Sequence, residues 1–112
     1  MEGVERENNG TFNILYLGQL EEHKGIRVLI EAFKKIDHQE IRLIIAGDGS
    51  LSEYVRKEAE KDSRITVKGY VEKVKFNELF KIVNLTVLPT LCYENYPTVI
   101  LESLSRGVLV VA

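Results

Sequence analysis

Tryptophan is absent from this chain of 112 residues, proline occurs twice, histidine twice and cysteine once. Each scarcity removes a class of protein. A single cysteine, Cys92, cannot form a disulfide framework within the chain, and it favours a reducing compartment such as the cytoplasm. Metal centres need clustered ligands, whereas His23, His38 and Cys92 fall on separate segments and no Asp-x-Asp occurs, so metal dependence is not expected. No apolar run approaches the length of a membrane span, and the polar, acidic residues Met1 to Gly10 lack the apolar centre of a signal peptide. Charge of one sign is also missing: 15 Lys and Arg face 17 Asp and Glu, which leaves no footprint for nucleic acid.

What remains is ordinary for a water-exposed globular domain, 45% hydrophobic and 29% charged. A chain of this length holds one domain, burying roughly 65% of its unfolded surface. Residues 1–10 read as a flexible segment, and 11–112 as the domain.

Short β-branched runs alternate with amphipathic stretches, the pattern of βαβ units on a parallel sheet. Five strands and four helices are expected. Asn13 to Gly18 is the first strand, and a helix from about Gly25 follows with Leu29, Ile30, Phe33 and Ile36 on one face. Ile41 to Ala46 is near-continuously apolar, as a strand covered on both faces should be, and it ends in Gly47-Asp48-Gly49. Ser50 with Glu53 three residues on matches a capping box for a helix to about Lys61. Ile65 to Lys68 is the third strand, broken by Gly69; Phe76, Leu79, Phe80 and Val83 mark the next helix. Leu85 to Leu88 is the fourth strand, stopped by Pro89. A loop from Thr90 to Pro97, a short helix from Val99 to Arg106 and Gly107 lead to a last strand, Val108 to Ala112. With no helix after it, that strand would leave an apolar face uncovered, which predicts an incomplete domain. The fold class is thus α/β, a doubly wound, Rossmann-like parallel sheet.

Ligands of such sheets bind beyond the carboxyl ends of the strands. The first such loop, Gly18 to Gly25, carries neither the Gly-x-Gly-x-x-Gly of dinucleotide folds nor the Gly-Lys-Ser/Thr of a phosphate loop. No Ser sits in a Gly-x-Ser-x-Gly turn. Gly47-Asp48-Gly49 reads as a turn in which Asp48 satisfies local amides and the glycines admit close approach of the chain to a ligand.

Three ordered segments carry a resemblance. Leu17-Gly18-Gln19-Leu20 through His23-Lys24-Gly25 with Leu29 to Phe33, then Leu43 to Gly49, then Glu94-Asn95-Tyr96-Pro97-Thr98-Val99-Ile100-Leu101-Glu102 followed by Gly107 and Val110-Val111-Ala112, resemble the second domain of retaining glycosyltransferases of family 4, in the GT-B architecture. The glutamates eight positions apart are its most specific part. The resemblance implies transfer of a sugar from a nucleotide-diphosphate-sugar donor to a glycan or lipid acceptor, with retention of configuration and no metal or other cofactor. This chain would supply the donor-binding half, inactive alone, and an acceptor domain would precede it. Peripheral membrane attachment through that other part stays open. Glycogen or starch synthesis fits less well, because those relatives carry Pro-Cys-Gly where Asn95-Tyr96-Pro97 stands here.

By the same resemblance Lys24 meets the donor diphosphate, whose developing charge a metal-free site must offset. Read without it, His23-Lys24-Gly25 is a solvated turn. Gln19 departs from the family, since many relatives have Arg there, and an amide brings no charge. It reads equally as an exposed loop residue. Glu94 is assigned to a sugar hydroxyl and Glu102 to the ribose, with Asn95, Tyr96, Pro97, Thr98 and Val99 lining the pocket. Thr98 and Val99 are the amides offered to phosphate, Pro97 having none. Gly69, Tyr70 and Val71 occupy the place where relatives hold the base, though a glycine after a strand is ordinarily a turn. Tyr93 and Tyr96 fit either a place beside the sugar or a cover over Cys92. A different class, a non-catalytic sugar-nucleotide or partner-binding module, also accommodates Gln19.

Overall fold

The computed structural model describes residues 10–87 and 109–111. Five strands alternate with helices: β1 Phe12–Leu17, α1 Ile26–Lys34, β2 Ile41–Ala46, α2 Ser52–Lys61, β3 Ile65–Gly69, α3 Phe76–Phe80, β4 Leu85–Val87 and β5 Leu109–Val111. Two 3-10 turns, Glu22–Lys24 and Lys73–Lys75, precede α1 and α3, and neither was legible in the apolar spacing. The expected fourth helix, Val99 to Arg106, lies outside the described residues.

The strands form one parallel sheet in the order β3-β2-β1-β4-β5. β1 therefore lies centrally, in register with β2 from Phe12↔Ile41 to Leu17↔Ala46 and with β4 at Ile14↔Leu85. The chain winds outwards from β1 to β3, then crosses back to lay β4 on the other edge of β1. That reversal is the topological switch of a doubly wound sheet.

Period-2 alternation divides the core between the two sheet faces. Tyr16, Leu43, Ile45 and Ile65 pack on Ile26, Ile30 and Phe33 of α1 and on Leu51 and Val55 beside and within α2. Leu15, Leu17, Ile44 and Ala46 turn the other way, onto Leu79, Phe80 and Val83. The run Leu43 to Ala46 is buried at every position because both faces are covered.

Polar groups close the amino-terminal end of the sheet. Asn13 donates from Nδ2 to the Ile82 carbonyl at 2.6 Å and from its N–H to Asn84 Oδ1 at 2.8 Å, clasping β1 to the segment before β4. Arg64, 7% exposed, donates from Nε and Nη2 to the two Asp62 carboxylate oxygens and from Nη1 to the Ile36 and His38 carbonyls. Its guanidinium also lies over the Phe33 ring, 4.5 Å from the ring centroid. Glu58, buried on α2, accepts from Lys34 of α1 and from Lys61.

Several sequence expectations shift. β1 begins at Phe12 and ends at Leu17, and Gly69 belongs to β3, where it pairs with Ala46 across a register shift. β4 is described to Val87 and β5 over Leu109–Val111, whose side chains lie outside the description, as does the expected exposure there. The capping box does not form: α2 starts at Ser52 after Leu51, with no side-chain cap. Ser50 is instead engaged by Glu21 from the loop after β1, which takes both its N–H and its hydroxyl.

Candidate functional site

Three loops meet beyond the carboxyl ends of β1, β2 and β3. Backbone bonds stitch the first two together: Gly18 N–H to the Ala46 carbonyl at 3.0 Å, Leu20 N–H to that of Asp48 at 3.0 Å, and Leu51 N–H to that of Leu20 at 2.8 Å. The approach is so close that a Cβ on Gly47 would fall 1.7 Å from the Gly18 carbonyl oxygen, where no side chain fits. A Cβ on Gly49 would likewise fall 2.5 Å from the Leu20 carbonyl oxygen. The glycines thus admit the neighbouring loop, a different partner from the ligand expected of them.

Asp48 acts as the sequence suggested. Its Oδ1 accepts from the Ser52 hydroxyl at 2.8 Å and from the Gly49 N–H at 3.0 Å. The Ser52 hydroxyl first, and the Gly49 amide second, hold this carboxyl below its usual value. Tyr16, buried under the first loop, donates from its hydroxyl to the Gln19 carbonyl at 2.5 Å.

The end of β3, from which the third loop departs, joins the second loop by a backbone bond, Gly47 N–H to the Gly69 carbonyl at 2.8 Å. Beyond it Tyr70 is 75% exposed and Val74 is 79% exposed, large apolar groups facing solvent.

Between these loops opens a cleft of about 480 Å³. It is lined by Gly18 and Gln19 from the first loop, Gly47 and Asp48 from the second, and Tyr70 and Val71 from the third. The strand-end residues Leu17 and Ala46, and Lys73 and Phe76 at the start of α3, complete the lining. Four of the expected site residues, Gly18, Gln19, Tyr70 and Val71, are thus brought together from positions some fifty residues apart in the chain. Gly69 stands beside them as the acceptor of the Gly47 amide.

Lys24 is not among the lining residues. It ends the 3-10 turn Glu22–Lys24 and is 8% exposed, so the solvated-turn reading of this residue fails. Gly25 follows at φ 76°, the left-handed conformation that lets the turn pass directly into α1. Glu94, Asn95, Tyr96, Pro97, Thr98, Val99 and Glu102 lie outside the described residues. Among the described residues no group of three or more His, Cys, Asp or Glu is placed to hold a metal ion, and no helix is long and apolar enough to cross a membrane.

Leu17, Ala46, Lys73 and Phe76 were missed by the sequence reading. The two strand-end residues had a signal, being the last apolar residues before a glycine loop. Lys73 and Phe76 had none, because only the fold of the β3–α3 segment turns them towards β1.

Fold and cleft together define a doubly wound α/β domain with a cleft beyond the carboxyl ends of β1, β2 and β3, where such sheets bind ligands. The chain belongs to the family described as glycosyl transferases group 1, whose model matches residues 2–112. It is 31% identical over 102 residues to an uncharacterized glycosyltransferase of Methanocaldococcus jannaschii, a match covering 88% of this chain and 26% of that protein. It is 29% identical over 107 residues to a glycogen synthase of Mycobacterium tuberculosis, covering 91% of this chain and 26% of that one. Among solved structures, the lipopolysaccharide outer core galactosyltransferase WaaB in its apo form superposes with a TM-score of 0.81 at 23% identity, covering 98% of this chain and 32% of that one. Anabaena HepE, in complex with UDP and glucose, superposes with a TM-score of 0.77 at 22% identity, covering 92% and 29%. These likenesses place the fold with the GT-B glycosyltransferases. The chain spans about a quarter of the length of the curated relatives it matches.

Proposed function

We propose that this chain is the donor-binding half of a glycosyltransferase that moves a sugar from a nucleotide-diphosphate sugar to a glycan or lipid acceptor, with retention of configuration and without a metal. The cleft carries this reading: it gathers Gly18, Gln19, Tyr70 and Val71 beyond the carboxyl ends of β1 and β3. Membership of a glycosyltransferase family, and a structural neighbour holding UDP and glucose, support it.

In this reading the base lies by Gly69, Tyr70 and Val71, and the diphosphate by Gly18 and Gln19. The bond between the sugar anomeric carbon and the β-phosphate oxygen breaks, and the leaving diphosphate gains negative charge that Lys24 and aimed amides of Thr98 and Val99 offset. Glu94 orients the sugar, Glu102 holds the ribose, and Asn95, Tyr96 and Pro97 shape the pocket. Acceptor binding falls to a part of the protein outside this chain. The reaction belongs to the cytoplasm, with peripheral membrane attachment where the acceptor is a lipid.

Titration with UDP, GDP, ADP and UDP-glucose, followed by amide shifts, tests the assignment. Saturable shifts clustered at Gly18, Gln19, Tyr70 and Val71, weakened in Glu102→Ala, are the expected result and identify the base. A folded sample whose cleft amides do not move with any of the four counts against it. Gln19, neutral in the cleft, favours a second reading: a module that binds the nucleotide sugar without transfer. Full-length protein that binds donor yet never turns it over would select that reading.

A further inference from the structure

We propose that Tyr16 is a positioning residue of this site: its phenol holds the Gly18–Leu20 backbone in the shape that meets the donor diphosphate, an inference that rests on the donor-binding reading above.

Tyr16 is 3% exposed and packs among Leu20, Ile26 and Leu51, where an aliphatic or phenyl side chain would serve packing as well. A phenol there adds a hydroxyl that must find a partner. It finds the Gln19 carbonyl, at 2.5 Å. The other end of the same peptide group, the Leu20 N–H, is held by the Asp48 carbonyl at 3.0 Å. A peptide group is planar, so fixing its oxygen and its hydrogen fixes the whole plane.

The ring supports the preceding residue too. A Cβ built on Gly18 would meet the Tyr16 hydroxyl at 3.5 Å and its ring carbon Cζ at 3.7 Å, ordinary contact distances, so the phenol occupies the side of Gly18 from which a side chain would project. The two lining residues of the loop after β1, Gly18 and Gln19, therefore lie against one buried side chain that does not itself line the cleft. With its carbonyl turned to Tyr16, Gln19 keeps a backbone N–H that has no acceptor among the described residues. That amide is the group the loop offers to an anionic ligand, and its direction depends on the phenol.

The test compares the protein with its Tyr16→Phe variant, using Tyr54→Phe on α2 as a control for loss of a tyrosine hydroxyl away from the cleft. Affinities for UDP and for uridine are measured alongside melting temperature and amide exchange. Tyr16→Phe is expected to bind UDP about five- to tenfold more weakly, the worth of one hydrogen bond, with uridine binding unchanged. Exchange at Leu20 should quicken, and Tyr54→Phe should match the parent throughout. Unchanged UDP affinity in Tyr16→Phe overturns the proposal, as does an equal loss for uridine and UDP, which would mark general loosening. Should the parent bind neither ligand, the donor reading falls separately, and exchange decides the loop claim. Faster exchange confined to Gly18–Leu20 upholds that claim, and unchanged exchange at Leu20 overturns it.

Discussion

The two sides of the cleft are built differently. The side made by the loops after β1 and β2 is a double layer, joined by three backbone bonds, by the Glu21–Ser50 contacts and by a glycine approach that leaves no room for a methyl group. The side made by the end of β3 and the loop after it is joined to the second loop, among the described residues, by one backbone bond and holds Tyr70 and Val74 out in solvent. A stitched loop presents amides in fixed directions, which suits charge that must be met at set distances. A loosely held aromatic adapts to a flat ligand face at little cost. Under the proposed function, the stitched side is the one that meets phosphate and the looser side the one that meets the base.

That contrast can be broken at its strongest point first. Gly47→Ala forces a methyl group into the Gly18 carbonyl, backbone against backbone, and is expected to cost about 3–5 kcal/mol, read as loss of a cooperative melt. A variant that melts like the parent would show the double layer to be expendable.

Arg64→Ala removes the buried guanidinium that ties Asp62, Ile36 and His38 at the far end of the sheet. A loss of about 2–4 kcal/mol is expected in chemical denaturation, with nucleotide affinity retained once the protein is folded. Equal losses of stability and affinity would contradict the separation of scaffold from cleft.

Acid should act on the stitched side through Asp48 and on the helix pair α1–α2 through Glu58. Glu58 is held below its usual value chiefly by Lys34 and then Lys61, and Asp48 by Ser52 and Gly49. Carboxyls lowered in the folded state contribute stability that is whole above about pH 5 and drains as pH falls through their folded values. Melting between pH 7 and 3 should fall only in the acid part of that range, and amide shifts at Gly49 and Ser52 should titrate there. Unfolding that sets in near neutrality would contradict this assignment.

Tyr70→Ala is the mildest change. With the side chain mostly in solvent, stability should stay within about 0.5 kcal/mol of the parent, while UDP affinity drops about fivefold. A variant with the reverse pattern would move Tyr70 from ligand contact to structure.

Local pattern carried the sheet into view. Ile41 to Ala46 was bounded correctly because its apolar run, interrupted only by the exposed Arg42, is buried on both faces from Leu43 on and closed by Gly47. The capping box misled because Ser50 and Glu53 satisfy a local rule, yet Glu21, twenty-nine positions earlier, captures Ser50 once β1 and β2 are neighbours. The cleft was half legible. Gly18, Gln19, Tyr70 and Val71 follow strands and could be named from topology, whereas Lys73 and Phe76 enter it through a 3-10 turn that no apolar spacing announces. Lys24 illustrates the remaining limit: its type and place were readable, its burial was not.

Strand order has a consequence for how the molecule is made. β1 pairs with β2 about thirty residues later but with β4 only after some seventy, at Ile14↔Leu85. As the chain leaves the ribosome, β1, β2 and β3 with α1 and α2 can assemble first, while the other edge of β1 waits with its peptide groups unpaired. The Asn13–Asn84 clasp sits where that late strand arrives. Synthesis slowed before Asn84 would therefore expose an adhesive edge, and the yield of folded protein should depend on how quickly that stretch is translated.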